Sequence, residues 1–130
     1  MDGRVPVIVV DAANVVGSRP DGWWRDRAGA TARLRDRLGD VASEGIERGP
    51  SWARGGPVEV LLVAEGRARG VASSDTVTVV DAPGSGDDTI AALAAEHAPH
   101  RRCLVVTSDR GLRQRVERAG GSVVGARAVA

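Results

Sequence analysis

Acidic residues occur at three predicted strand-to-helix junctions of this chain. Asp11 ends a run of four apolar residues, the pair Asp87 and Asp88 precedes an apolar stripe of helical spacing, and Asp109 follows a second apolar run closely. In an open parallel sheet, ligands bind beyond the carboxyl ends of the strands, so we expect these carboxylates to converge. Converged carboxylates repel one another and need a cation to stay ionised. Oxygen ligands of this kind suit Mg²⁺ or Mn²⁺ better than Zn²⁺.

Polar and aromatic side chains near these acids are of the types that bind a phosphodiester substrate. An amide follows the first acid by three positions, a hydroxyl precedes the last acid, and two guanidinium groups follow it. Arginine binds phosphate oxygens in a bidentate manner, and tryptophan stacks on unpaired bases. The candidate substrate-binding residues are Asn14, Ser108, Arg110, Arg113 and Trp23.

Each acid also has a purely structural interpretation. Asp and Asn commonly accept hydrogen bonds from backbone amides in turns and at helix N-termini. The functional interpretation rests on the conjunction of three such junctions on one predicted sheet edge, because Ser or Thr would serve equally well as caps. Glu65 and Asp81 are two positional candidates for a fourth acid, and the sequence does not choose between them.

Length and composition predict one domain, spanning residues 1–130. Hydrophobic residues make up 42% of the chain but aromatic residues only 2%, so the core must consist of Val, Leu, Ile and Ala. All 18 basic residues are Arg, and the formal net charge is +1. This near balance gives no argument for nucleic-acid binding from charge alone.

Several classes of protein are not expected from this sequence. No apolar run approaches the ~20 residues of a membrane span, and the residues 1–4 lack the apolar stretch of a signal peptide. The single Cys103 excludes a disulfide framework and a thiolate zinc cluster within one chain, and we expect it to be buried and reduced. A cytoplasmic protein without membrane contact is therefore predicted.

Five Val-rich runs alternate with helical patterns, which predicts an α/β fold with a parallel sheet. The first run has consecutive apolar residues, so we expect a central strand covered on both faces. Helices are predicted at 28–47, after the glycines at 84 and 86, and after Asp109; loops are predicted at 49–57 and 65–75. The predicted strands lie within residues 5–10, 58–63, 77–80, 103–106 and 123–124.

Three segments of the chain resemble the PIN-like nucleases of the NYN type. They are VVDAANVVG at 9–17, GDDTI at 86–90 and VVTSDR at 105–110, followed by a glycine pair at 120–121. The resemblance extends over nearly the whole chain. It implies a Rossmann-like three-layer α/β/α sandwich with a mostly parallel central sheet, and divalent-metal-dependent cleavage of RNA.

The resemblance also implies roles for individual residues. Asp11 and Asp109 would be metal ligands, and Asn14 would support the site. Asp87 and Asp88 are both candidate ligands, of which Asp88 is assigned with Asp11 and Asp109 to the catalytic set. The spacing does not decide which of the adjacent pair points into the site.

The sequence therefore predicts an endoribonuclease that uses Mg²⁺ or Mn²⁺ to hydrolyse RNA, single-stranded or structured. One alternative is a catalytically weak PIN-fold module that binds RNA or protein. Another is a small Mg²⁺-dependent nucleotide phosphohydrolase, because an acidic α/β site serves that chemistry too. The oligomeric state stays open, and a homodimer is compatible with the sequence.

Overall fold

Five parallel strands form a single sheet in the computed structural model, which describes residues 4–129. Residues 1–3, which belong to the segment predicted to lack a signal peptide's apolar stretch, lie outside this range, as does Ala130. The strand order is β3-β2-β1-β4-β5. All five Val-rich runs therefore form strands, as the sequence predicts. Their bounds are β1 Val7–Asp11, β2 Glu59–Ala64, β3 Thr78–Asp81, β4 Cys103–Val106 and β5 Ser122–Val124.

The sheet buries apolar side chains on both faces. Every residue of β1 is buried, and β1 pairs with β2 on one side and β4 on the other. Because side chains alternate along a strand, Ile8 and Val10 join one core, whereas Val7 and Val9 join a second core on the opposite face. This two-sided burial explains why the first apolar run does not alternate with polar residues.

Helices cover both faces and complete three layers. The first two, α1 and α2, contribute to the core that contains Ile8, whereas α4 and α5 contribute to the core that contains Val7. This confirms the predicted α/β/α fold class. Within the described residues, every helix is too short or too polar to span a bilayer. The helices are α1 Ala12–Gly17, α2 Arg27–Arg37, α3 Val41–Glu44, α4 Gly86–His97 and α5 Arg110–Arg118.

The helix predicted at 28–47 is wrong in its extent. The structure has α2, a break around Gly39, and the single turn of α3. Glycine is a poor helix former, which explains the break. The helix α3 ends at Glu44, well before the predicted stop at Gly49, because its C-cap Gly45 adopts φ +74° and ψ −165°. Gly45 also pairs with Arg54 in an isolated antiparallel bridge, which closes the intervening loop.

A short helix begins directly after Asp11 and is additional to the helices whose positions were predicted above. The side chain of Asp11 caps this helix, α1, which is six residues long. Its apolar positions Val15 and Val16 are buried in the first core. A helix this short shows too few periods for its spacing to be recognised in the sequence.

The strand order reverses next to β1. The chain proceeds outwards from β1 to β2 and β3, then returns through α4 to β4 on the other side of β1. In open α/β sheets, ligand sites form at this kind of reversal, beyond the carboxyl ends of the strands. The topology therefore predicts a site between the ends of β1 and β4.

Candidate active site at the carboxyl ends of the strands

Asp11 lies at the centre of the site and is only 4% exposed. Its Oδ2 accepts a hydrogen bond from the Thr107 hydroxyl at 2.9 Å, and its Oδ1 accepts one from the Asn14 amide at 3.3 Å. Burial raises the pKa of Asp11; the two hydrogen bonds oppose this rise, whereas the charges of Asp87 and Glu65 add to it. A cation beside Asp11 would favour its ionised form.

Thr107 connects the ends of β1 and β4. Its fully buried hydroxyl donates to Asp11 and accepts a hydrogen bond from the backbone amide of Asp109 at 3.2 Å. Asp109 is exposed and caps α5, because its Oδ1 accepts from the amide of Leu112 at 2.8 Å. Asp109 is therefore a helix cap and a lining residue of the same site.

The structure separates the two adjacent acids at the start of α4. Asp87 is half-buried and lines the site, and its pKa is raised by burial and by the charges of Asp109 and Glu65. Arg115 opposes this rise. Asp88 is exposed and forms an ion pair with Arg115, with 3.0 Å between Oδ1 and Nη1. Asp88, predicted from the sequence to belong to the catalytic set, does not line the site, whereas Asp87 does.

Glu65 supplies the fourth carboxylate of the site, and Asp81 does not. Glu65 follows β2 directly, is half-buried, and accepts a hydrogen bond from the amide of Gly86 through Oε2 at 3.2 Å. It thereby fixes the start of α4 next to the site. Asp81 is exposed, and both of its oxygens accept from the amide of Gly70, at 3.3 and 3.2 Å.

These acids surround an open depression of about 260 Å³. The carboxylate and amide oxygens in its lining are of the type that Mg²⁺ and Mn²⁺ prefer as ligands. Among the described residues, the lining contains neither a histidine nor the cysteine. In residues 4–129, no three such acidic, imidazole or thiol groups are arranged to hold one ion directly. The donors fit an ion that retains several waters, as Mg²⁺ usually does. The lining residues are Asp11, Ala13, Asn14, Glu65, Asp87 and Asp109.

The predicted substrate-binding residues are placed differently from one another. Asn14 lines the depression, and its Oδ1 accepts a hydrogen bond from the amide of Ser108 at 2.8 Å. The hydroxyl of Ser108 instead accepts from the amide of Ala126 at 2.9 Å, so this side chain serves the segment after β5. Arg110 and Arg113 are exposed on α5 and do not line the depression.

Trp23 lines a second cavity beside the depression. The tryptophan is half-buried in a short 3₁₀ turn, Trp23–Arg25, that precedes α2. The guanidinium carbon of Arg27 lies 5.3 Å from the centre of its ring. Its neighbour Trp24 is 55% exposed and meets Trp23 edge-on.

Three residues in or beside the site were missed or undervalued in the sequence. Glu65 directly follows a buried strand, just as Asp11 ends one, and that position was the available signal. Arg115 lies on α5 and forms an ion pair with Asp88 on α4. Local sequence spacing does not predict a contact between two helices that far apart in sequence. Thr107 was recognised only as a nearby hydroxyl, whereas it connects two strand ends.

Comparison with known proteins gives a likeness of fold. No family model matches the sequence, and no curated protein matches it significantly. The crystal structure of Rae1 (YacP) from Bacillus subtilis is similar, with a TM-score of 0.71 and 19% sequence identity. A mutant of the same protein gives a TM-score of 0.66 and 17% identity. Each comparison covers 93% of this chain and 69% of the other. At this level of identity, the likeness shows a shared fold.

Proposed function

We propose that this protein is a divalent-metal-dependent endoribonuclease. The observation that carries the proposal is the depression in which the carboxylates of Asp11, Glu65, Asp87 and Asp109 meet at the strand-order reversal. Four carboxylates from four separate segments are more than helix capping requires. The resemblance of the three sequence segments to PIN-like nucleases supports the same activity, and the fold shared with Rae1 agrees with the α/β fold that this resemblance implies.

The acids of the depression would hold Mg²⁺ or Mn²⁺. Asp11, Asp87 and Asp109 are the best candidates to hold the ion, in part through its retained waters, with Glu65 as a further acid. When bound, such an ion makes a water molecule more acidic and offsets negative charge on the scissile phosphate. The pKa of Asp11 is raised by burial and by the charges of Asp87 and Glu65, and that of Asp87 by burial and by the charges of Asp109 and Glu65. A bound cation would favour the ionised form of both carboxyl groups.

The chain's own residues hold this arrangement before substrate binds. The Thr107 hydroxyl and the backbone amide of Asn14 hold the two carboxylate oxygens of Asp11 in place. Glu65 holds the first turn of α4, which carries Asp87. A fixed set of charges stabilises a developing charge without having to reorganise during the reaction. Arg110 and Arg113 extend from α5 beside Asp109 and are proposed phosphate contacts.

The second candidate function is an RNA- or protein-binding module with little catalysis. One observation favours it: within the described residues, the acids are not arranged as a ready cage for a bare ion. Metal-dependent cleavage therefore separates the two candidates.

The deciding experiment is cleavage of a labelled RNA by the purified protein with Mg²⁺, Mn²⁺ or chelator. Asp11→Asn should reduce the cleavage rate at least about 100-fold, the scale of losing a main electrostatic contributor, while RNA binding persists. Asp81→Asn is the matched control, because Asp81 also ends a strand but lies outside the depression. It should cleave like the unaltered protein.

A cleavage rate that is unchanged both by chelator and by Asp11→Asn would show a contaminating nuclease. Absence of cleavage with every metal, together with retained RNA binding, would overturn the proposal in favour of the binding module.

A further inference from the structure

A cavity of about 330 Å³ adjoins the acidic depression. Pockets that hold small molecules start at roughly 300 Å³, so the cavity has room for one small planar group and not for a long segment. It is lined largely by apolar atoms and by one aromatic ring. The lining residues are Ala13, Val16, Trp23, Arg27, Thr31, Glu65, Gly66 and Ala68.

The cavity and the depression share two walls. Ala13 and Glu65 line both. Ala13 lies in α1 between Asp11 and Asn14, and Glu65 holds the start of α4. A molecule in the cavity is therefore adjacent to a group in the depression, within the span of a single ligand.

Trp23 and Arg27 give the cavity a flat, cationic wall. The ring of Trp23 lies beneath the Arg27 guanidinium, and the remaining wall is formed by small residues and by Glu65. Unpaired bases stack on aromatic rings and on guanidinium planes, and this stacking tolerates any base. The positive charge of Arg27 also favours an anionic ligand beside an otherwise acidic site.

We propose that this cavity is a subsite for one unpaired nucleobase of the RNA strand, with a phosphate of that strand at the acidic depression. The assignment rests on the proposed function, which it refines. Trp23 and Arg27 would stack the base, so the protein would require an unpaired nucleotide next to the phosphate that it cleaves. A paired base cannot enter, because its partner strand has no room in the cavity.

The test uses binding in chelator, where metal-dependent cleavage is prevented. Trp24→Phe combined with Trp52→Phe leaves Trp23 as the sole tryptophan, since the sequence contains three. A short single-stranded RNA should quench its fluorescence. The same RNA annealed to its complement, or carrying abasic nucleotides throughout, should not.

Substitutions locate the site. Trp23→Ala should weaken binding of the short RNA about tenfold or more, the scale of losing one stacked base. Trp24→Ala is the matched control, because Trp24 is the exposed neighbour outside the cavity, and should bind normally. Ala68→Leu fills the cavity without removing a packed side chain and should also weaken binding, which guards against misfolding of Trp23→Ala.

Three results would overturn the subsite. The first is that abasic or duplex RNA quenches the fluorescence as much as single-stranded RNA does. The others are that Ala68→Leu and Trp23→Ala bind RNA normally, or that Trp24→Ala loses as much RNA affinity as Trp23→Ala. Equal affinity for a nucleoside monophosphate and for RNA would assign the cavity to free nucleotides and overturn the strand assignment. Because the readout is binding, failure of the nuclease proposal shows separately, as absent cleavage with quenching intact.

Discussion

At the scale of single residues, the neighbours Asp87 and Asp88 have different surroundings. Asp87 shares the depression with Asp11 and its charge raises the pKa of Asp11, whereas Asp88 pairs with Arg115 in solvent. The sequence showed that acid belongs at the start of α4. It could not show which acid faces inwards, because that depends on how α4 is rotated against the sheet.

This difference predicts opposite results for two similar substitutions. Asp87→Asn should reduce RNA cleavage strongly, because it removes a carboxylate from the depression. Asp88→Asn should leave cleavage and stability close to those of the unaltered protein, because an exposed ion pair contributes only about 0–1 kcal/mol. Initial cleavage rates with Mn²⁺ would decide. Loss of activity in Asp88→Asn alone would reverse the assignment.

Asp109→Asn tests whether the acids repel one another. Asparagine keeps the cap of α5, since Asn and Asp serve almost equally at this position. Its neutral side chain removes repulsion of Asp87, so thermal stability in chelator should stay the same or rise while cleavage is lost.

Asp109→Ala is the control for the cap. It loses the hydrogen bond from the Leu112 amide and should cost about 0.5–2 kcal/mol. A large loss of stability in Asp109→Asn would instead mean that the charge serves structure rather than chemistry.

At the scale of elements, the five strands were predictable because each is a compact Val-rich run between turn residues. The breaks between helices were less predictable from the sequence. Gly39 and Gly45 interrupt a pattern that reads as one helix, and the sequence alone did not show a break at them because single glycines also occur inside helices. The conformation of Gly45, with φ +74° and ψ −165°, belongs to a region that is essentially restricted to glycine.

Gly45→Ala should therefore destabilise the protein. A Cβ at this position would collide with the carbonyl oxygen of Ala53, and the backbone strain alone costs about 1–3 kcal/mol. Gly84→Ala is the matched control, because open space surrounds Gly84 and its φ is not positive. Urea denaturation at fixed pH would measure both. Equal stability of the two variants would contradict the predicted strain.

At the scale of the whole molecule, two cores separated by the sheet contain nearly all the buried apolar residues. Cys103, predicted to be buried and reduced, is a buried free thiol in the core beneath α4 and α5. Burial raises the pKa of this thiol to about 11, with a smaller opposing effect from Arg101. Its ionisation therefore reports on exposure of that core.

The thiol predicts a pH dependence of stability. Because the folded pKa is raised, its contribution is present below the unfolded value of 9.0 and is lost as pH rises towards about 11. The chain contains neither Lys nor Tyr, so few other groups ionise in this interval. The urea midpoint should fall between pH 9 and 11 in the native protein and less in Cys103→Ala. The same fall in both would exclude the thiol as its cause.

The edge strands β3 and β5 contribute no carboxylate to the depression, which is built from β1, β4, the end of β2 and the start of α4. Backbone hydrogen bonds hold β1 to neighbours on both sides. Fraying of the edge strand β3 or β5 would leave the four acids in place, whereas separation of β1 from β4 would move them apart. The protein can thus tolerate local fluctuations and substitutions in its edge strands. The four acids stay together for as long as the central strands stay paired.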